Sequence, residues 1–404
     1  MRVLKLVLLF HLPYALLAQT LGFALEQIES KALIEKGLTG KGVKIGIIDG
    51  GFLGANEAPA LGGHFEENRV VYYKDFVTPH LQPYDGNKAL NDDHGTDVWQ
   101  LIGGYHAEKD IQYGLATEAT YYLARTDYDA YEKRQEEHNL IAAMSEMIAQ
   151  GVRLFNVSLG YTNEYSNRSE DYTPDQIDGK STWITQALDS LLTVHDVLVI
   201  VSAGNDGDLP WRVLSAPADS KHVLAIGATK LTQWEEMYYS SIGPDWLPYV
   251  KPELSVFSNI GTSYSAPVIT GLAACMMQYD STLKTSQIKD LLIRSSHLYP
   301  YPNNYVGYGV PSCPKLLRLM AGEQQPPARV YQAKDDHIAL KIDFLSADIQ
   351  ANGKIVVYHK KEWRVMSKET IKGLNKLKID RPAGCTQSTL FVGKMAMEIL
   401  WEQD

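Results

Sequence analysis

Three short segments of the chain carry, in the order aspartate, histidine and serine, the side chains that an acyl-transfer site needs. They are Gly46-Ile47-Ile48-Asp49, His94-Gly95-Thr96 and Gly261-Thr262-Ser263. A serine hydroxyl attacks a carbonyl efficiently only when a base accepts its proton, and the base needs a third group that holds its tautomer. The residue types and their order predict that Ser263 is the nucleophile, His94 the general base and Asp49 the acid that orients His94.

A fourth segment, Ser202-Ala203-Gly204-Asn205, offers a hydrogen-bond donor for the negative oxygen that forms during acyl transfer. The side-chain amide of Asn205 can donate to that oxygen. The N–H of Ser263 can also donate, because Ser263 begins an apolar helical stretch whose dipole points the same way. Each segment alone also fits a helix cap or a tight turn. The four together, in this order, favour a catalytic site.

Alternating strand and helix patterns surround these segments. Apolar runs predict strands, and apolar residues at a helical period predict helices. The predicted strands are residues 43–48, 119–124, 152–157, 197–201 and 223–226, and the predicted helices are residues 94–101, 131–150, 183–194, 263–278 and 286–295. The polar stretch 161–181 is predicted to be a long surface loop. This alternation predicts an α/β fold, a three-layer sandwich with a mostly parallel central sheet.

The N-terminal residues have the pattern of a signal peptide. Residues 1–18 combine Arg2 and Lys5 with an apolar run that is too short to span a bilayer, and Ala18 could end the cleavage site. The prediction is a secreted or periplasmic protein without a membrane span after signal removal. Residues 19–36 are then too few to form a folding segment with its own core, so a single helix packed on the domain is expected there, without self-cleavage.

Composition changes near residues 324–327, where two glutamines and two prolines follow one another. Residues 338–344 then alternate between apolar and other side chains, and residues 355–358 form an apolar run. Alternation of this kind is typical of strands with one buried face. The sequence therefore predicts one large domain over residues 19–323 and a small β-rich domain over residues 328–404.

Charge and cysteine content limit the partners and cofactors. The formal net charge is −10, and there is no run of lysine or arginine, so nucleic acid is not an expected partner. The spacing of the three cysteines does not match a metal site. Cys275 is predicted to be a buried thiol. Cys313 and Cys385 could form a disulfide or could both be reduced. No metal or cofactor is expected to be required. Five acidic residues of the 161–181 loop leave structural calcium as the weaker alternative to a solvated loop: Glu164, Glu170, Asp171, Asp175 and Asp178.

From about residue 37 to residue 296 the chain resembles the subtilisin-like serine proteases, the subtilases. Besides the four segments above, the resemblance includes residues 37–43, 156–160, 216–218, 225–228, 241–244 and 251–253. It implies the same triad of Asp49, His94 and Ser263, with Asn205 as the oxyanion residue. It also implies that the substrate is held by residues of two segments: Ser158, Leu159, Gly160, Ala203 and Gly204.

Several residues depart from the pattern of the family. Gly50 stands where a serine or threonine is common, Asp97 replaces a second histidine, and Tyr264 and Val268 replace a methionine and a histidine of the serine motif. Tyr161 replaces a glycine and is expected to narrow the entrance of the pocket. Residues 201–205 and 215–218, which the resemblance places in the pocket walls, contain no acidic residue, so apolar side chains are the expected preference before the cut bond.

The sequence as a whole predicts a serine endopeptidase that hydrolyses proteins or peptides through an acyl-enzyme. Two other functions remain open at this point. Because Gly50 and Asp97 depart from the pattern of the family, a binding protein with the same fold and no catalytic activity is one alternative. A transpeptidase or cyclase would use the same residues, with an amine instead of water resolving the acyl-enzyme.

Overall fold

The computed structural model describes residues 20–86, 92–128, 132–341, 354–372 and 376–402. The predicted signal peptide, the start of the helix predicted at 131–150, and Ile342 and Phe344 of the C-terminal alternation lie outside these residues. The strands are β1 (Thr20–Leu21), β2 (Lys44–Asp49), β3 (Val70–Asp75), β4 (Tyr105–His106), β5 (Ile111–Gln112), β6 (Thr120–Arg125), β7 (Leu154–Val157), β8 (Leu198–Ser202), β9 (Leu224–Thr229), β10 (Leu254–Phe257), β11 (Val330–Ala333), β12 (His337–Lys341), β13 (Lys354–Lys361), β14 (Arg364–Lys372), β15 (Lys376–Asp380), β16 (Gln387–Val392) and β17 (Met395–Trp401). The α-helices are α1 (Phe23–Gln27), α2 (Lys31–Ile34), α3 (Gly62–Glu66), α4 (His94–Gly103), α5 (Arg134–Ala149), α6 (Trp183–Val194), α7 (Ala266–Tyr279), α8 (Thr285–Ser295) and α9 (Cys313–Met320). None of these helices is long and apolar enough to cross a membrane.

A seven-stranded sheet forms the centre of the protein, in the order β10-β9-β8-β7-β2-β6-β3, and its neighbouring strands are all parallel. Successive side chains of a strand point to opposite faces, so an apolar run can bury both faces at once. Ile47 packs in the core cluster that includes α4 and α7, and Ile48 packs in the cluster that includes α5 and α6. The predicted three-layer α/β fold is therefore confirmed.

The boundaries of most predicted elements shift by only a few residues. The helix predicted at 183–194 has the same bounds as α6, whereas the helix predicted to begin at Ser263 begins at Ala266. Ser263 lies instead in a short 3₁₀ turn, Thr262–Tyr264, that leads into α7. Pro267 lies in the first turn of α7, where its fixed φ suits a helix start and its missing N–H costs nothing.

Two short helices replace the single helix expected before residue 36. The break between α1 and α2 includes Glu29 in the left-handed region, with φ 58°. Long-range contacts hold this break. The Gln27 amide donates to the Thr229 hydroxyl and accepts from the Phe257 N–H, and the Ile28 carbonyl accepts from the Cys313 N–H. These tertiary bonds override the helical period of the local sequence.

The segment predicted to be a surface loop, residues 161–181, has no regular strand or α-helix, but it is not simply a surface segment. Tyr161, Tyr165, Tyr172 and Ile177 are buried and pack in the core cluster beneath α5 and α6. The hydroxyl of Tyr172 donates to Glu137 of α5 at 2.8 Å. The prediction was wrong for these side chains because the polar residues between them hid a set of anchoring aromatic rings.

The C-terminal part is all β, with a five-stranded sheet of order β11-β17-β16-β13-β14 and a two-stranded sheet of β12 and β15. It contacts the α/β part through polar groups at β14. The Asn304 side chain accepts from the Val365 N–H at 2.9 Å and donates to the Gly243 carbonyl at 2.9 Å. All three cysteines are buried and free, so Cys313 and Cys385 are not paired in the structure.

Candidate active site

Three neighbouring strands bring the candidate residues to one edge of the central sheet. Asp49 ends β2, Ser158 follows β7, and Asn205 comes shortly after β8. These strands are adjacent and parallel, so their carboxyl ends meet at the same edge. In an open parallel sheet this edge is where ligands are usually bound.

Asp49 and His94 form a close pair. The two atoms that join them, His94 Nδ1 and Asp49 Oδ1, are 2.6 Å apart, and Asp49 is completely buried. A proton on Nδ1 is donated to the carboxylate, which fixes the tautomer and leaves Nε2 as the basic nitrogen. The ring of Tyr264 stands edge-on to the His94 ring, with 5.5 Å between the ring centroids, and limits its movement.

The Gly50 departure has a visible consequence at Asp49. The Gly50 N–H donates to Asp49 Oδ1 at 2.9 Å, but Oδ2 is buried and has no hydrogen-bond partner in the described part of the chain. A glycine has no hydroxyl that could donate to Oδ2. The carboxylate therefore depends on His94 and one main-chain N–H.

Two glycines allow the acid and base segments to approach closely. The Gly95 N–H donates to the Gly51 carbonyl at 2.8 Å, and the Leu53 N–H donates to the Asp92 carbonyl at 2.8 Å. A Cβ on Gly95 would lie 2.4 Å from the Gly51 oxygen, and a Cβ on Gly51 would lie 2.3 Å from the Asp92 oxygen. Any side chain at either position would therefore separate the segments that carry Asp49 and His94.

Ser263 is held against the strand segment that follows β7. Its hydroxyl donates to the Ser158 carbonyl at 3.1 Å, and the Ser158 hydroxyl donates to the Ser263 carbonyl at 2.8 Å. Behind them the Asn156 amide donates to the Ser158 hydroxyl at 3.0 Å and accepts from the Thr270 hydroxyl at 2.8 Å. This buried chain of hydrogen bonds fixes the Ser263 backbone, and Ser263 lines the same cleft as His94. Catalytic hydrogen bonds often form only once substrate is bound.

Asn205 is oriented by the residue before the nucleophile. Its Oδ1 accepts from the Thr262 N–H at 2.8 Å and from the Thr262 hydroxyl at 3.1 Å. With Oδ1 occupied, the Nδ2 group makes no hydrogen bond to another described residue and remains a donor at the cleft. The Ser263 N–H lies in the first turn before α7, where N–H groups have no intrahelical acceptor.

A cleft of about 450 Å³ contains most of the predicted site residues. It is lined by His94, Ser263 and Asn205 and by four of the predicted substrate-binding residues, Ser158, Leu159, Gly160 and Gly204. The fifth, Ala203, is fully buried in the core and does not line the cleft. Tyr161 does not narrow the entrance as expected. Its side chain is fully buried behind the cleft because its main chain pairs with Ala216.

Sequence reasoning missed Arg125, the last residue of β6, which positions both the acid and the base. Its buried guanidinium donates to the Gly50 carbonyl at 2.8 Å, to Asp92 at 2.7 Å and to Asp75 at 3.3 Å. It also missed the roles of Thr262 and Tyr264 beside Asn205 and His94. A charged residue at the end of an otherwise apolar strand was the available signal for Arg125.

The acidic residues that could hold a metal are not those proposed for calcium. Among the described residues, the group of three carboxylates that could surround one ion is Asp127, Glu132 and Glu136, whose oxygens lie within 4.8 Å of one another. Burial raises the pKa of Glu132 to about 10, and hydrogen bonding to Glu136 and the charge of Asp127 act in the same direction. Burial also raises the pKa of Asp127. The raised pKa values of Glu132 and Asp127 express the cost of charging buried carboxyls that have no cation beside them among the residues that the structure describes.

Comparisons with known proteins agree with this geometry. The model of the subtilase family matches residues 40–309. Subtilisin NAT of Bacillus subtilis subsp. natto is 24% identical over 303 residues, which cover 72% of this chain and 70% of that protein. Subtilisin DY of Bacillus licheniformis is 25% identical over 286 residues, which cover 68% of this chain and 91% of that protein. The structure of the Clostridium perfringens CspB protease has a similar fold, with a TM-score of 0.59, 14% identity, and coverage of 74% of this chain and 99% of that one. The chain belongs to the subtilase family.

Proposed function

We propose that the protein is an exported serine endopeptidase that hydrolyses peptide bonds through an acyl-enzyme. The observation that carries the proposal is the 2.6 Å contact of His94 with the buried Asp49, at a cleft that also contains Ser263 and Asn205. A buried carboxylate that holds a histidine, at a cleft shared with a serine, is the set of groups that nucleophilic acyl transfer uses.

Four residues carry the proposed reaction. Ser263 Oγ attacks the carbonyl carbon of the substrate, and His94 Nε2 accepts its proton and then gives it to the leaving amine. Asp49 stabilises the imidazolium that forms. Asn205 Nδ2 and the Ser263 N–H donate to the oxyanion. Water then attacks the acyl-enzyme with His94 again as the base, which releases the acid product and free Ser263.

The substrate backbone is proposed to lie along Ser158, Leu159 and Gly160, with Gly204 on the opposite side. Support comes from the finding that these residues and Ser263 line the same cleft. Export is proposed from the N-terminal pattern of residues 1–18. Recovery of the mature protein outside the cytoplasm, with an N-terminus near residue 19, would test it.

Labelling with a fluorophosphonate probe, followed by mapping of the modified residue, tests the nucleophile. The probe should modify Ser263 in the wild type and should not modify Ser263→Ala. Ser265→Ala is the matched control, because the Ser265 hydroxyl donates to the Val256 carbonyl and not to the cleft. Labelling of another serine, or equal labelling of Ser263→Ala, would contradict the proposal.

Mass spectrometry of the products from a test peptide separates the possible activities. Two fragments whose masses differ from the substrate by one water in total indicate hydrolysis, which is the expected result. A cyclic product or a product joined to an added amine would indicate a transpeptidase. An unchanged peptide, together with an absence of labelling, would indicate a binding protein on a subtilase fold.

A further inference from the structure

The proposed substrate cleft has an acidic interior. Besides the candidate catalytic groups, it is lined by the carboxyl groups of Glu132, Glu164 and Asp206. Leu159 is the only apolar side chain among the described residues that line it, and no lysine or arginine is among them. Its remaining walls carry serine and threonine hydroxyls, including those of Thr162 and Ser215.

No cation of the protein offsets these three carboxyls in the described part of the chain. Ion pairs are present for many other acidic residues, but none includes Glu132, Glu164 or Asp206. The Oε2 atom of Glu132 is buried and has no hydrogen-bond partner among the described residues. Unpaired acidic groups that face one another in a cleft repel, and a positive charge placed between them removes that repulsion.

The charge of Glu164 acts on the pKa of each of the other two carboxyls. Burial raises the pKa of Asp206 above its usual value, and the charges of Glu164 and Asp208 raise it further. The charge of Glu164 also contributes to the raised pKa of Glu132. Glu164 therefore lies near both of the other two groups, although it is itself exposed at the rim of the cleft.

We infer that the cleft binds a basic side chain, lysine or arginine, at the residue before the bond that is cut. The inference rests on the proposed function, since it assigns the substrate class of the same site. The proposed function places the side chain of the residue before the cut bond next to Ser158–Gly160 and Gly204, and these residues line the same cleft as the three carboxyls. A lysine or arginine stem can pass Leu159 and bring its charged end to the carboxylates, while the hydroxyls accept its remaining hydrogen bonds.

This conclusion replaces the apolar preference expected from the sequence. That expectation considered residues 201–205 and 215–218, and these segments indeed contribute no acid. The three carboxyls lie outside those segments. Glu132 precedes α5, Glu164 lies in the loop after β7, and Asp206 directly follows Asn205. A bridge between Glu132 and Tyr165 brings the first two together.

Peptides that differ only in the residue before the cut bond test the inference. Lysine is compared with norleucine, which has nearly the same shape without the charge, and arginine is compared with citrulline. The wild type is expected to cleave the lysine peptide with a kcat/KM at least about tenfold above that of the norleucine peptide, because a partly buried charge pair contributes this much. The ratio should fall as salt is added, since Glu164 is exposed. A norleucine peptide cleaved as well as the lysine peptide would overturn the inference.

Variants of the carboxyls show whether they cause the preference. Asp206→Asn and Glu164→Gln should each lower the lysine-to-norleucine ratio by about threefold to fivefold, and the double variant should abolish most of it. Asp175→Asn is the matched control, because Asp175 is exposed and does not line the cleft. A ratio that falls in the control as much as in Asp206→Asn would mean that the net charge of the protein, and not the cleft, sets the preference, which would also overturn the inference.

A binding measurement separates failure of the inference from failure of the proposed function. Ser263→Ala cannot form the acyl-enzyme, but its cleft keeps all three carboxyls. Fluorescence anisotropy should show tighter binding of a labelled lysine peptide than of the norleucine peptide. If the wild type neither reacts with the probe nor cleaves peptides, the proposed function fails, and the binding preference still decides the inference. If the wild type reacts and cleaves but prefers norleucine, only the inference fails.

Discussion

The guanidinium of Arg125 donates to the main-chain carbonyl of Gly50 at 2.8 Å, directly after the acid that holds the histidine. The same side chain donates to Asp92, two residues before His94, at 2.7 Å. Arg125 is therefore a positioning residue that fixes the two segments of the Asp49–His94 pair relative to each other. Arg125 does not itself line the cleft, but the Gly50 carbonyl that it holds belongs to a residue that does.

Replacing Arg125 by methionine should destabilise the protein strongly. The change leaves the buried carboxylates of Asp75 and Asp92 without their cation, and loss of one partner of a buried ion pair costs about 3–5 kcal/mol. Urea unfolding in the Ser263→Ala background measures the free energy without self-digestion. Arg153→Met is the control, because Arg153 forms an exposed pair with Asp196 and should cost under about 1 kcal/mol. Equal losses in the two variants would contradict the positioning role.

The rate at which the probe labels Ser263 is a second test of Arg125. A residue that only stabilises the fold would not change this rate in a folded variant. Arg125→Lys keeps one charge but cannot reach Gly50, Asp75 and Asp92 together. It should be less destabilised than Arg125→Met but should still label Ser263 more slowly than the wild type. Wild-type labelling in a folded Arg125→Lys variant would show that the position of His94 does not depend on this residue.

The Asn205 side chain permits a sharp test of the proposed oxyanion site. Asn205→Asp keeps an acceptor for the Thr262 N–H but removes the Nδ2 donor, whereas Asn205→Ala removes both. Both variants should lower kcat by roughly 10²–10³ with little change in KM, because the lost bond forms mainly in the transition state. Steady-state kinetics on one peptide measures this. A change confined to KM would make Asn205 a substrate contact instead.

Most of the central sheet could be predicted because of how it is buried. Strands such as β8, covered on both faces, must be apolar at nearly every position, so the run Leu198–Ser202 is visible without any structural information. The polar residues that end such runs, Asp49 and Asn205, are then conspicuous. The sequence order of Asp49, His94 and Ser263 predicted which side chains to look for, and the structure places all three beside one cleft.

What could not be predicted depends on contacts between distant segments. Glu29 breaks a helical pattern because Gln27 bonds to β9 and β10, some two hundred residues away. Glu164 lies in the loop 161–181, and Glu132 is bridged to Tyr165 of that loop. The sequence predicted the tyrosines of this loop to be at the surface, so their burial, which brings the two carboxyls to the cleft, could not be foreseen. A local pattern of apolar and polar residues does not predict contacts between distant segments, so the acidic lining of the cleft was visible only in the structure.

The stability of the protein should depend on pH through Asp219. Burial raises its pKa from 3.8 to about 6, although the Thr185 hydroxyl and the Gly179 N–H both donate to it. The folded state therefore holds this proton more tightly than the unfolded state. Its contribution to stability is largest below about pH 4 and is lost as the pH rises to about 6.

Urea unfolding at several pH values, again in the Ser263→Ala background, measures the effect of Asp219. The free energy of unfolding of the parent, minus that of Asp219→Asn, should fall by roughly 2 kcal/mol between pH 4 and pH 6.5. Asp175→Asn, at an exposed position, is the control for the general effect of removing one carboxylate. A difference that stays constant or grows with pH for Asp219→Asn would refute the raised pKa.

A buried ion pair in the C-terminal sheet provides the last prediction. Lys360 and Glu398 lie 3.1 Å apart, with side chains 0% and 1% exposed. The Lys360 ammonium also donates to the Pro302 carbonyl of the α/β part at 3.0 Å, and Glu398 accepts from the Thr389 hydroxyl at 2.6 Å. The pair therefore links the C-terminal sheet to the rest of the chain.

Removing one partner should cost more than removing both. Lys360→Met or Glu398→Leu alone leaves a buried charge without its counterion, at a cost of about 3–5 kcal/mol. The double variant buries two apolar side chains instead, so it should be more stable than either single variant, with a coupling energy of at least about 2 kcal/mol. Urea unfolding of all four proteins gives this energy directly. Strictly additive losses would mean that each residue acts through its other contacts and that the ion pair itself does not stabilise the sheet.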